Sequence, residues 1–510
     1  MLTIADALAR SRRIAAARPA VVCGDHMLDH AALAVRCERV GGAVAALGLR
    51  RGDRVAVLAA NCHRYVELYL GVPCAGLVLV PLNIRLAPAE LARIIEAARP
   101  ALLVTDRDPG PLADGVERVM SFEEWDTIVE AAAPTPLGTG VSDEDTAVVY
   151  FTSGTTGRPK GVVLTHGNLV ANSFHKTIAC GLRPSDVFLA AGPFFHVAGT
   201  APVLSLVWLG ASLVVLPGFD ASACLDIIEA QRVSVYMPVP TMLAALTAEQ
   251  RARPRDVSSL RLIGHAGSPI TTAAIRNAHD VFPGAELQQY YGATETAAIV
   301  TCLAHEERLL DGGPLGSVGQ PVVGVAVEVL DPSGQPCRPG DAGEIVVRGP
   351  NVTAGYWQDE TATKEAFVDG WYRTGDVGYL DDNHHLWLLD RVKDMIVTGG
   401  ENVYSTEVEE VLARHPAVLE CAVFGVPDEH WVEAVHAVVV VGAAEHVSED
   451  ELRDHCLASL AGFKVPKQIE LRLEPLPKSG PGKVQKRELR APYWAPVSRG
   501  PGHRGEPEPR

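Results

Sequence analysis

The sequence predicts an α/β protein with a large N-terminal domain and a small α+β C-terminal domain. Three observations predict it. Short apolar runs alternate with helical segments through residues 1–300, short strands and turns dominate 318–390, and a third pattern follows Asp390. Alternating strands and helices are typical of mostly parallel sheets whose faces are covered by helices.

Each element has its own signal in the pattern. Residues 30–47 have helical spacing, and residues 55–59 form a fully apolar run that is typical of a buried strand. Further helices are expected at 65–70, 88–98, 221–231, 242–249, 271–281, 406–414 and 449–459. Further strands are expected at 77–81, 101–105, 146–151, 213–216, 233–237, 260–264, 286–290, 326–330, 344–348, 378–380, 386–390, 418–426 and 434–441.

These patterns predict the domain boundaries. We expect an N-terminal domain at 1–390, including a small antiparallel β subdomain at about 318–390, and a C-terminal domain at 391–496. The stretch 497–510 is rich in Gly, Pro and charge, and we expect it to be a disordered tail.

Composition narrows the functional classes. A formal charge of −17 argues against a nonspecific nucleic-acid binder, and the 10 cysteines form no Cys-x-x-Cys pair that would indicate a zinc or redox site. We expect no signal peptide, because no apolar core follows the early arginines. The uncharged runs 68–84 and 197–219 are interrupted by Gly and Pro, so we expect helix–turn–strand units rather than membrane spans, and a cytoplasmic protein.

The most informative motif is residues 150–161, Tyr-Phe-Thr-Ser-Gly-Thr-Thr-Gly-Arg-Pro-Lys-Gly, which begins at the end of a predicted strand. Small residues let the backbone approach a ligand closely, and consecutive N–H groups together with hydroxyls suit an anion. Lys160 adds a positive charge. The spacing differs from the Walker loop. The composition therefore favours a loop that binds nucleotide phosphates over a plain polar hairpin loop.

Two further motifs carry polar groups suited to a nucleotide. Residues 289–295, Gln-Tyr-Tyr-Gly-Ala-Thr-Glu, follow a predicted strand, and ligands sit at the carboxyl ends of parallel strands. An aromatic ring there can stack on a base, Thr294 can bind a phosphate, and Glu295 can hold Mg²⁺. In residues 371–377, Trp-Tyr-Arg-Thr-Gly-Asp-Val, we expect Asp376 to follow a tight glycine turn and to accept both ribose hydroxyls. Taken alone, these segments also fit a surface loop and an ordinary Gly-Asp turn.

Two more motifs lie at and beyond the domain boundary. Residues 390–396 read Asp-Arg-Val-Lys-Asp-Met-Ile and are followed by Gly-Gly-Glu-Asn at 399–402. Residues 477–486, Pro-Lys-Ser-Gly-Pro-Gly-Lys-Val-Gln-Lys, place Lys483 in a glycine-containing loop. By themselves, these segments fit a solvated linker and an exposed lysine.

Together and in this order, the motifs resemble those of the adenylate-forming superfamily, above all its AMP-forming acyl-CoA synthetases for fatty and aromatic acids. The resemblance also covers residues 193–199, 264–269 and 343–350. It implies two stacked, mostly parallel α/β sheets plus the β subdomain in the large domain, and a mobile small domain.

The resemblance also implies roles for individual residues. Lys483, Glu295 and His196 would be catalytic, Thr155 and Glu295 would bind the metal, and Lys393 would be the hinge. Gly399, Gly400 and Glu401 would face coenzyme A. The residues implied for ATP or AMP binding are Thr152, Ser153, Gly154, Thr155, Thr156, Gly157, Lys160, Gly267, Ser268, Tyr290, Tyr291, Gly292, Thr294, Asp376 and Arg391. Relatives usually carry Pro where this chain has Ser405, which can cap the following helix instead, so we expect little effect of the difference.

The implied reaction is ATP-dependent ligation of a carboxylic acid to coenzyme A through an acyl-adenylate, with release of AMP and pyrophosphate. ATP, Mg²⁺, coenzyme A and a small-molecule acid would be the partners of a monomer or homodimer, and peripheral membrane contact stays open. Small side chains at Ala198, Thr200 and Ala201 are compatible with a long or bulky acyl group. Fatty and aromatic acids fit about equally.

Three alternatives differ from this interpretation. An acyl-AMP ligase would pass the acyl group to a carrier protein, but the segment from Gly355 to Trp371 looks too short for the insertion of such relatives. An amino-acid-activating enzyme usually keeps an acidic residue for the amine, whereas segments 194–206 and 297–300 are apolar. A non-catalytic nucleotide-binding protein would be expected to have lost residues such as Lys160 and Glu295.

Overall fold

The chain divides into two compact units, which are described separately below. The computed structural model describes residues 2–153, 159–268, 270–391, 394–398, 401–428, 431–442, 447–478 and 484–494. The first unit comprises Met1–Thr374 and Gly378–Leu388, and the second comprises Gly375–Val377 and Leu389–Arg510. The expected tail at 497–510 lies outside the described residues.

The elements that begin in the first unit are numbered in chain order. The helices are α1 (Ile4–Ala15), α2 (His30–Ala46), α3 (His63–Cys74), α4 (Pro88–Ala98), α5 (Phe122–Ala131), α6 (His166–Ala179), α7 (Val197–Leu209), α8 (Ala221–Gln231), α9 (Pro240–Ala252), α10 (Thr272–Val281) and α11 (Glu360–Ala366). The strands are β1 (Pro19–Cys23), β2 (His26–Asp29), β3 (Arg54–Leu58), β4 (Val78–Pro81), β5 (Leu102–Thr105), β6 (Val119–Ser121), β7 (Thr146–Ser153), β8 (Pro159–Thr165), β9 (Val187–Ala190), β10 (Ser212–Val215), β11 (Val235–Tyr236), β12 (Leu262–Ala266), β13 (Glu286–Tyr291), β14 (Thr301–Leu303), β15 (Gln320–Pro321), β16 (Ala326–Leu330), β17 (Gly343–Arg348), β18 (Gly355–Tyr356), β19 (Phe367–Val368), β20 (Trp371–Leu380) and β21 (Leu386–Arg391).

Two mostly parallel sheets form the body of the first unit, as the fold class predicts. One has the strand order β15-β14-β13-β12-β11-β9-β10-β1-β2, and the other has the order β18-β8-β7-β4-β3-β5-β6. Antiparallel pairs occur only toward the ends of these described sheets, at β1–β2, β13–β14–β15 and β7–β8–β18. Strands of both sheets and the helices α1–α3, α6 and α7 contribute to one continuous apolar core. A third sheet, β16-β17-β20-β19 with β21 on β20, is the expected β subdomain.

Local sequence explains why these elements start and stop where they do. Strand β3 is buried at Val55, Ala56, Val57 and Leu58, on both of its faces, as expected for a strand covered by helices on each side. Helix α4 starts at Pro88, whose fixed φ suits the first helical position, and ends before Arg99, which adopts a left-handed conformation with φ +46°. Helix α2 is capped by Asp29, whose side chain accepts from the N–H of Ala32.

The sequence-based helix and strand assignments are largely confirmed, three of them to the residue. Helices α4 and α8 and strand β16 have the expected bounds. The two uncharged runs fold as helix–turn–strand units, α3–β4 and α7–β10. No helix in the described part of the chain is long and apolar enough to cross a membrane.

The structure contains elements that the sequence patterns did not predict, among them α1, α5, α6, α11 and α14, and it contradicts one expected turn. Helix α1 and the hairpin β1–β2 were not predicted, because the arginines of α1 obscure its apolar face, on which Ile4 and Leu8 are fully buried. The expected tight turn at Gly375 and Asp376 is wrong. Both residues lie inside the ten-residue strand β20, where Gly375 alone adopts a left-handed φ of +69°.

The second unit is a small α+β fold. Its remaining elements are β22 (Ile396–Thr398), β23 (Glu401–Val403), α12 (Ser405–Ala413), β24 (Val418–Asp428), β25 (Val432–Val441), α13 (Glu449–Leu457), β26 (Gln468–Arg472) and α14 (Lys486–Trp494). The sheet order is β23-β22-β25-β24, and β26 pairs in parallel with β25. Helices α12 and α13 pack on one apolar cluster of this sheet. Helix α14 contributes Leu489 to a second cluster.

A buried histidine predicts how stability depends on pH. His166 is fully buried at the start of α6, and its Nδ1 accepts a hydrogen bond from the N–H of Ile4 at 3.3 Å. Burial lowers the pKa of His166 to about 4. The unfolded chain, with a histidine pKa near ~6.5, therefore takes up the proton first as the pH falls. The contribution of His166 to the free energy of unfolding should be fully present above about pH 6.5. It should decline toward pH 4 by on the order of 3 kcal/mol, because a pKa shift of one unit corresponds to ~1.36 kcal/mol.

The matched variant is His166→Asn, which keeps an acceptor for Ile4 but does not titrate. Urea unfolding at neutral and acidic pH should show a larger loss of unfolding free energy in the wild type than in the variant. Equal losses of unfolding free energy in the wild type and the variant would contradict the lowered pKa of His166.

Candidate functional site

The predicted phosphate loop connects two antiparallel strands. Strands β7 and β8 pair with Thr152 opposite Lys160 and Ser153 opposite Pro159, so the ends of the loop are held together. The Thr152 hydroxyl also donates to the carbonyl of Lys160 at 3.4 Å. Thr152 and Lys160 therefore lie at the base of the loop. Gly154, Thr155, Thr156 and Gly157 lie outside the described residues, as does the side chain of Ser153.

The second motif begins in β13 and continues into a tight turn. Tyr290 and Tyr291 end the strand, and Gly292 follows, where a Cβ would lie only 2.2 Å from the carbonyl oxygen of Ala298. The close approach requires glycine. Within the turn, the N–H of Ala297 donates to the carbonyl of Thr294 at 3.0 Å. The turn thus folds back on itself and presents Thr294 and Glu295 at the carboxyl end of the strand.

Two residues from another segment hold this turn. The Asn351 side chain is fully buried and donates to the carbonyls of Thr296 and Ile299 at 2.8 and 2.9 Å. The backbone N–H of Thr353 donates to the carbonyl of Glu295 at 2.7 Å. Neither residue was predicted as part of the site, because neither belongs to a motif with an evident ligand chemistry.

Tyr356 brings the first two motifs together. It lies in β18, which pairs with β8 so that Tyr356 is opposite Val162. Its hydroxyl donates to Glu295 Oε1 at 3.1 Å, and the Lys160 ammonium lies over its ring, 5.1 Å from the centroid. One aromatic side chain therefore contacts both the lysine of the phosphate loop and the candidate metal ligand. Tyr356 is a site residue that the motifs did not indicate.

The environment of Glu295 suits a cation. Burial, reinforced by the charge of Glu295, raises the pKa of Tyr356, so its hydroxyl stays protonated and remains a donor. Tyr372 lies beside Tyr356, and burial together with the charge of Glu295 raises the pKa of Tyr372 as well. Among the described residues, Tyr356 donates its hydrogen bond to Oε1 of Glu295. The other carboxylate oxygen, Oε2, is then available as a hard oxygen ligand of the type that Mg²⁺ prefers.

The loop after β12 lies beside the end of β13. The two strands are parallel neighbours, with Ala266 opposite Tyr290. Gly267 follows directly with a φ of +91°, and Ser268 comes next. Both residues therefore leave the sheet at the same edge as Tyr291 and Gly292. The Tyr290 ring lies across Gly264, where a Cβ would be 2.4 Å from its Cε2 atom.

His196 precedes the first turn of α7. Asn61 holds this loop, since its side chain accepts from the N–H of Phe194 and donates to the carbonyl of Gly192, each at 2.8 Å. Burial, with a smaller contribution from Arg85, lowers the pKa of His196 to about 4. His196 is therefore neutral at pH 7 and can serve there as a hydrogen-bonding group rather than as a cation.

In the second unit, the structure brings Asp376 and Arg391 together. Nε of Arg391 lies 3.2 Å from Oδ1 of Asp376. The sequence predicted both as nucleotide-binding residues on separate motifs. Their pairing places a carboxylate and a guanidinium at one point, a combination that suits ribose hydroxyls and phosphate oxygens.

The loop that carries Lys483 is closed at its base. Lys478 pairs with Val484 as an isolated β-bridge, and the N–H of Gln485 donates to the carbonyl of Pro477 at 2.8 Å. Lys486 is fixed by an ion pair with Glu409 at 2.7 Å. Lys483 itself lies outside the described residues, as do Lys393, Gly399, Gly400 and the side chain of Glu401.

Ser405 does not cap helix α12. Tyr404 is the N-cap residue of α12 and makes no side-chain cap, whereas Ser405 is the first helical residue. Its N–H donates instead to the Asp390 carboxylate, and its hydroxyl accepts from Lys486. The residue that replaces the usual proline thus links the boundary residue Asp390 to the segment that follows Lys483.

Comparisons with known proteins agree with this arrangement. The family described as "AMP-binding enzyme" matches residues 8–357, and the "AMP-binding enzyme C-terminal domain" matches residues 407–483. The chain belongs to the AMP-binding enzyme family. These enzymes form the adenylate-forming superfamily that the motifs indicated.

Individual relatives are similar over almost the whole chain. A feruloyl-CoA synthase from Amycolatopsis is 38% identical over 94% of this chain and 97% of its own length. The fatty acid–[acyl-carrier-protein] ligase ScoC from Streptomyces coeruleorubidus is 34% identical over 94% of each chain. The o-succinylbenzoate-CoA synthetase MenE from Bacillus subtilis, solved with its acyl-adenylate intermediate, has a TM-score of 0.86 and 31% identity, and covers 95% of this chain and 97% of its own.

The double contact of Tyr356 makes a prediction for nucleotide binding. Tyr356→Phe keeps the ring under Lys160 but removes the hydrogen bond to Glu295, so affinity for Mg²⁺-ATP should fall about 10-fold, as expected for losing a hydrogen bond to a charged group. Tyr356→Leu removes both contacts and should cost more. Titration calorimetry measures both variants. Tyr379→Phe, whose ring stacks on Trp387 in the β subdomain, is the control. A loss as large in the control as in Tyr356→Phe would contradict the specific role.

Proposed function

We propose that this protein activates a carboxylic acid with ATP and transfers it to coenzyme A, releasing AMP and pyrophosphate. The observation that carries the proposal is the meeting of Lys160 and Glu295 at Tyr356 in a member of the AMP-binding family. MenE, which has also been solved with ATP and a magnesium ion, is similar over 96% of this chain. The named relatives include acyl- and aryl-CoA ligases.

The chemistry explains why a nucleotide is needed. A carboxylate is inert to thiols because it is anionic and its oxygen leaves poorly. In the first step, a carboxylate oxygen attacks the α-phosphorus of ATP, and the bond to the β-phosphate oxygen breaks to release pyrophosphate. In the second step, the sulfur of coenzyme A attacks the acyl carbon, and the bond to AMP breaks.

In the first step, negative charge moves onto the departing phosphates, so positioned cations and N–H groups should contribute most. Lys160 and the loop 153–157 would hold the β- and γ-phosphates. Glu295, with Thr155, would hold Mg²⁺, which supplies charge neutralisation at the phosphates when bound. Neutral His196 would border the carboxylate end of the acyl site.

The second unit would supply two different faces for the two steps. Lys483 would orient the carboxylate during adenylation, while Asp376 and Arg391 would bind the nucleotide. We propose Lys393 as the hinge about which the face Gly399–Gly400–Glu401 replaces the Lys483 face for thioester formation. The pairing of Lys478 with Val484 and of Lys486 with Glu409 closes the base of the loop that carries Lys483, which would limit the positions that Lys483 can reach.

The test is pyrophosphate release with Mg²⁺-ATP across a panel of acids from acetate to long-chain and aromatic acids, each with and without coenzyme A. Coenzyme A-dependent turnover and an acyl-CoA product are expected. ScoC shows that a relative can use a carrier protein. Turnover that ignores coenzyme A but responds to an added acyl carrier protein would therefore overturn the proposed acceptor. No pyrophosphate release with any acid would overturn the activity.

Lys483→Ala separates the half-reactions. Adenylation should fall by at least ~10²–10³-fold, the range for removing one group that stabilises developing negative charge. Thioester formation from supplied acyl-adenylate should largely survive. Lys478→Ala, at the base of the same loop, is the matched control and should affect the two half-reactions about equally. An equal loss of both half-reactions in Lys483→Ala would contradict the assigned role.

A further inference from the structure

A stripe of polar side chains runs along the buried face of helix α6. Asn168, Asn172 and Lys176 are spaced four residues apart and so share a face, over about 12 Å of helix. All three are buried, with 9%, 1% and 6% of their surface exposed. A buried polar stripe is unusual in an apolar core and requires partners.

The first member is fully satisfied and connects the stripe to the candidate site. The Asn168 amide donates to the carbonyls of Pro350 and Val352 at 2.9 and 2.8 Å, and its oxygen accepts from the N–H of Thr165 at 3.0 Å. The segment that Asn168 holds is the one whose next residues, including Thr353, fix the turn with Glu295. The stripe therefore begins beside the segment that holds the Glu295 turn of the candidate site.

The last member lies beneath the second motif. The Lys176 ammonium is 5.7 Å from the centroid of the Tyr290 ring. Tyr290 directly precedes Tyr291 and Gly292, and its hydroxyl donates to Gln288. The stripe thus runs from the segment that supports Glu295 to the strand that carries the tyrosine motif.

Among the described residues, Asn172 lacks a hydrogen-bond partner at one atom and Lys176 lacks a counter-charge. Asn172 Oδ1 is buried without a hydrogen bond. No described carboxylate forms an ion pair with Lys176, and the titratable groups beside it are the thiols of Cys180 and Cys302. Burial raises the pKa of both thiols, so they are uncharged. A buried ammonium without a counter-charge destabilises the free protein, and burial lowers its own pKa.

We propose that Lys176 and Asn172 form the distal end of the acyl pocket, where they bind an oxygen-bearing group at the end of the acid remote from its reacting carboxylate. A hydroxyl fits both side chains, because it accepts from the Lys176 ammonium and donates to Asn172 Oδ1. A second carboxylate shares the ability to accept from Lys176. A plain alkyl or aryl end leaves both groups unsatisfied. This inference rests on the proposed function.

The experiment compares acids that differ only at the far end. One set is cinnamate, para-hydroxycinnamate and para-carboxycinnamate. The other is octanoate, its omega-hydroxy derivative and octanedioate. The measured quantity is kcat/KM for acid-dependent pyrophosphate release. The wild type should prefer an oxygen-ended acid over its plain counterpart in at least one set, by about 10- to 100-fold, the range for one hydrogen bond to a charged group. Whether the hydroxylated or the carboxylated acid of that set is preferred shows which of the two groups Lys176 and Asn172 bind.

Lys176→Met removes the charge but keeps the chain length, and it should abolish that preference while raising the urea midpoint of the free protein. Asn172→Leu should reduce the preference, above all for the hydroxylated acid. Lys364→Met, at an exposed position of α11, is the control and should retain it. A wild type that prefers the plain acid in both sets, or a Lys176→Met variant that keeps the preference, would overturn the inference. Failure to release pyrophosphate with any acid would instead overturn the proposed function.

Discussion

The candidate site depends on a small set of hydrogen bonds between the Gly292–Ile299 turn and the segment that begins at Asn351. Asn351 and Thr353 fix the turn through its backbone carbonyls, and Tyr356 then reaches the Glu295 carboxylate directly. Because Tyr356 belongs to a strand that pairs with β8, the same residue also lies under Lys160. A nucleotide that bridges the phosphate loop and the metal ligand would therefore meet groups already held in place, which lowers the entropic cost of binding.

Much of the fold could be predicted, because the signals are local. Helix α4 has Pro88 at its first position and a clear apolar face, and β3 is a continuous apolar run between turns. The supporting groups of the site could not be predicted in the same way. Tyr356 acts on a carboxylate 61 positions away, and Asn351 acts on carbonyl groups more than 50 positions away. Such contacts follow from sheet order and leave no local pattern.

Two further residues show where local rules mislead. Ser405 has the chemistry of a helix cap, but Asp390 and Lys486 offer it stronger charged partners, so it becomes the first helical residue instead. Lys176 would ordinarily be placed on a solvent-facing side of its helix, yet it is buried against Tyr290. Hydropathy could not reveal this position, because α6 also carries apolar side chains, Phe174 and Ile178, that are exposed. Residues that break a local rule mark functional or strained positions in many proteins.

The central claim is that the acid becomes covalently attached to AMP before it reaches coenzyme A. The most direct measurement uses an acid labelled with heavy oxygen in its carboxylate and follows the label by mass spectrometry during turnover. The account predicts that one labelled oxygen appears in AMP and none in inorganic phosphate or pyrophosphate, since the bond that breaks in the second step leaves that oxygen on the nucleotide. Unlabelled AMP, or label in inorganic phosphate, would contradict it.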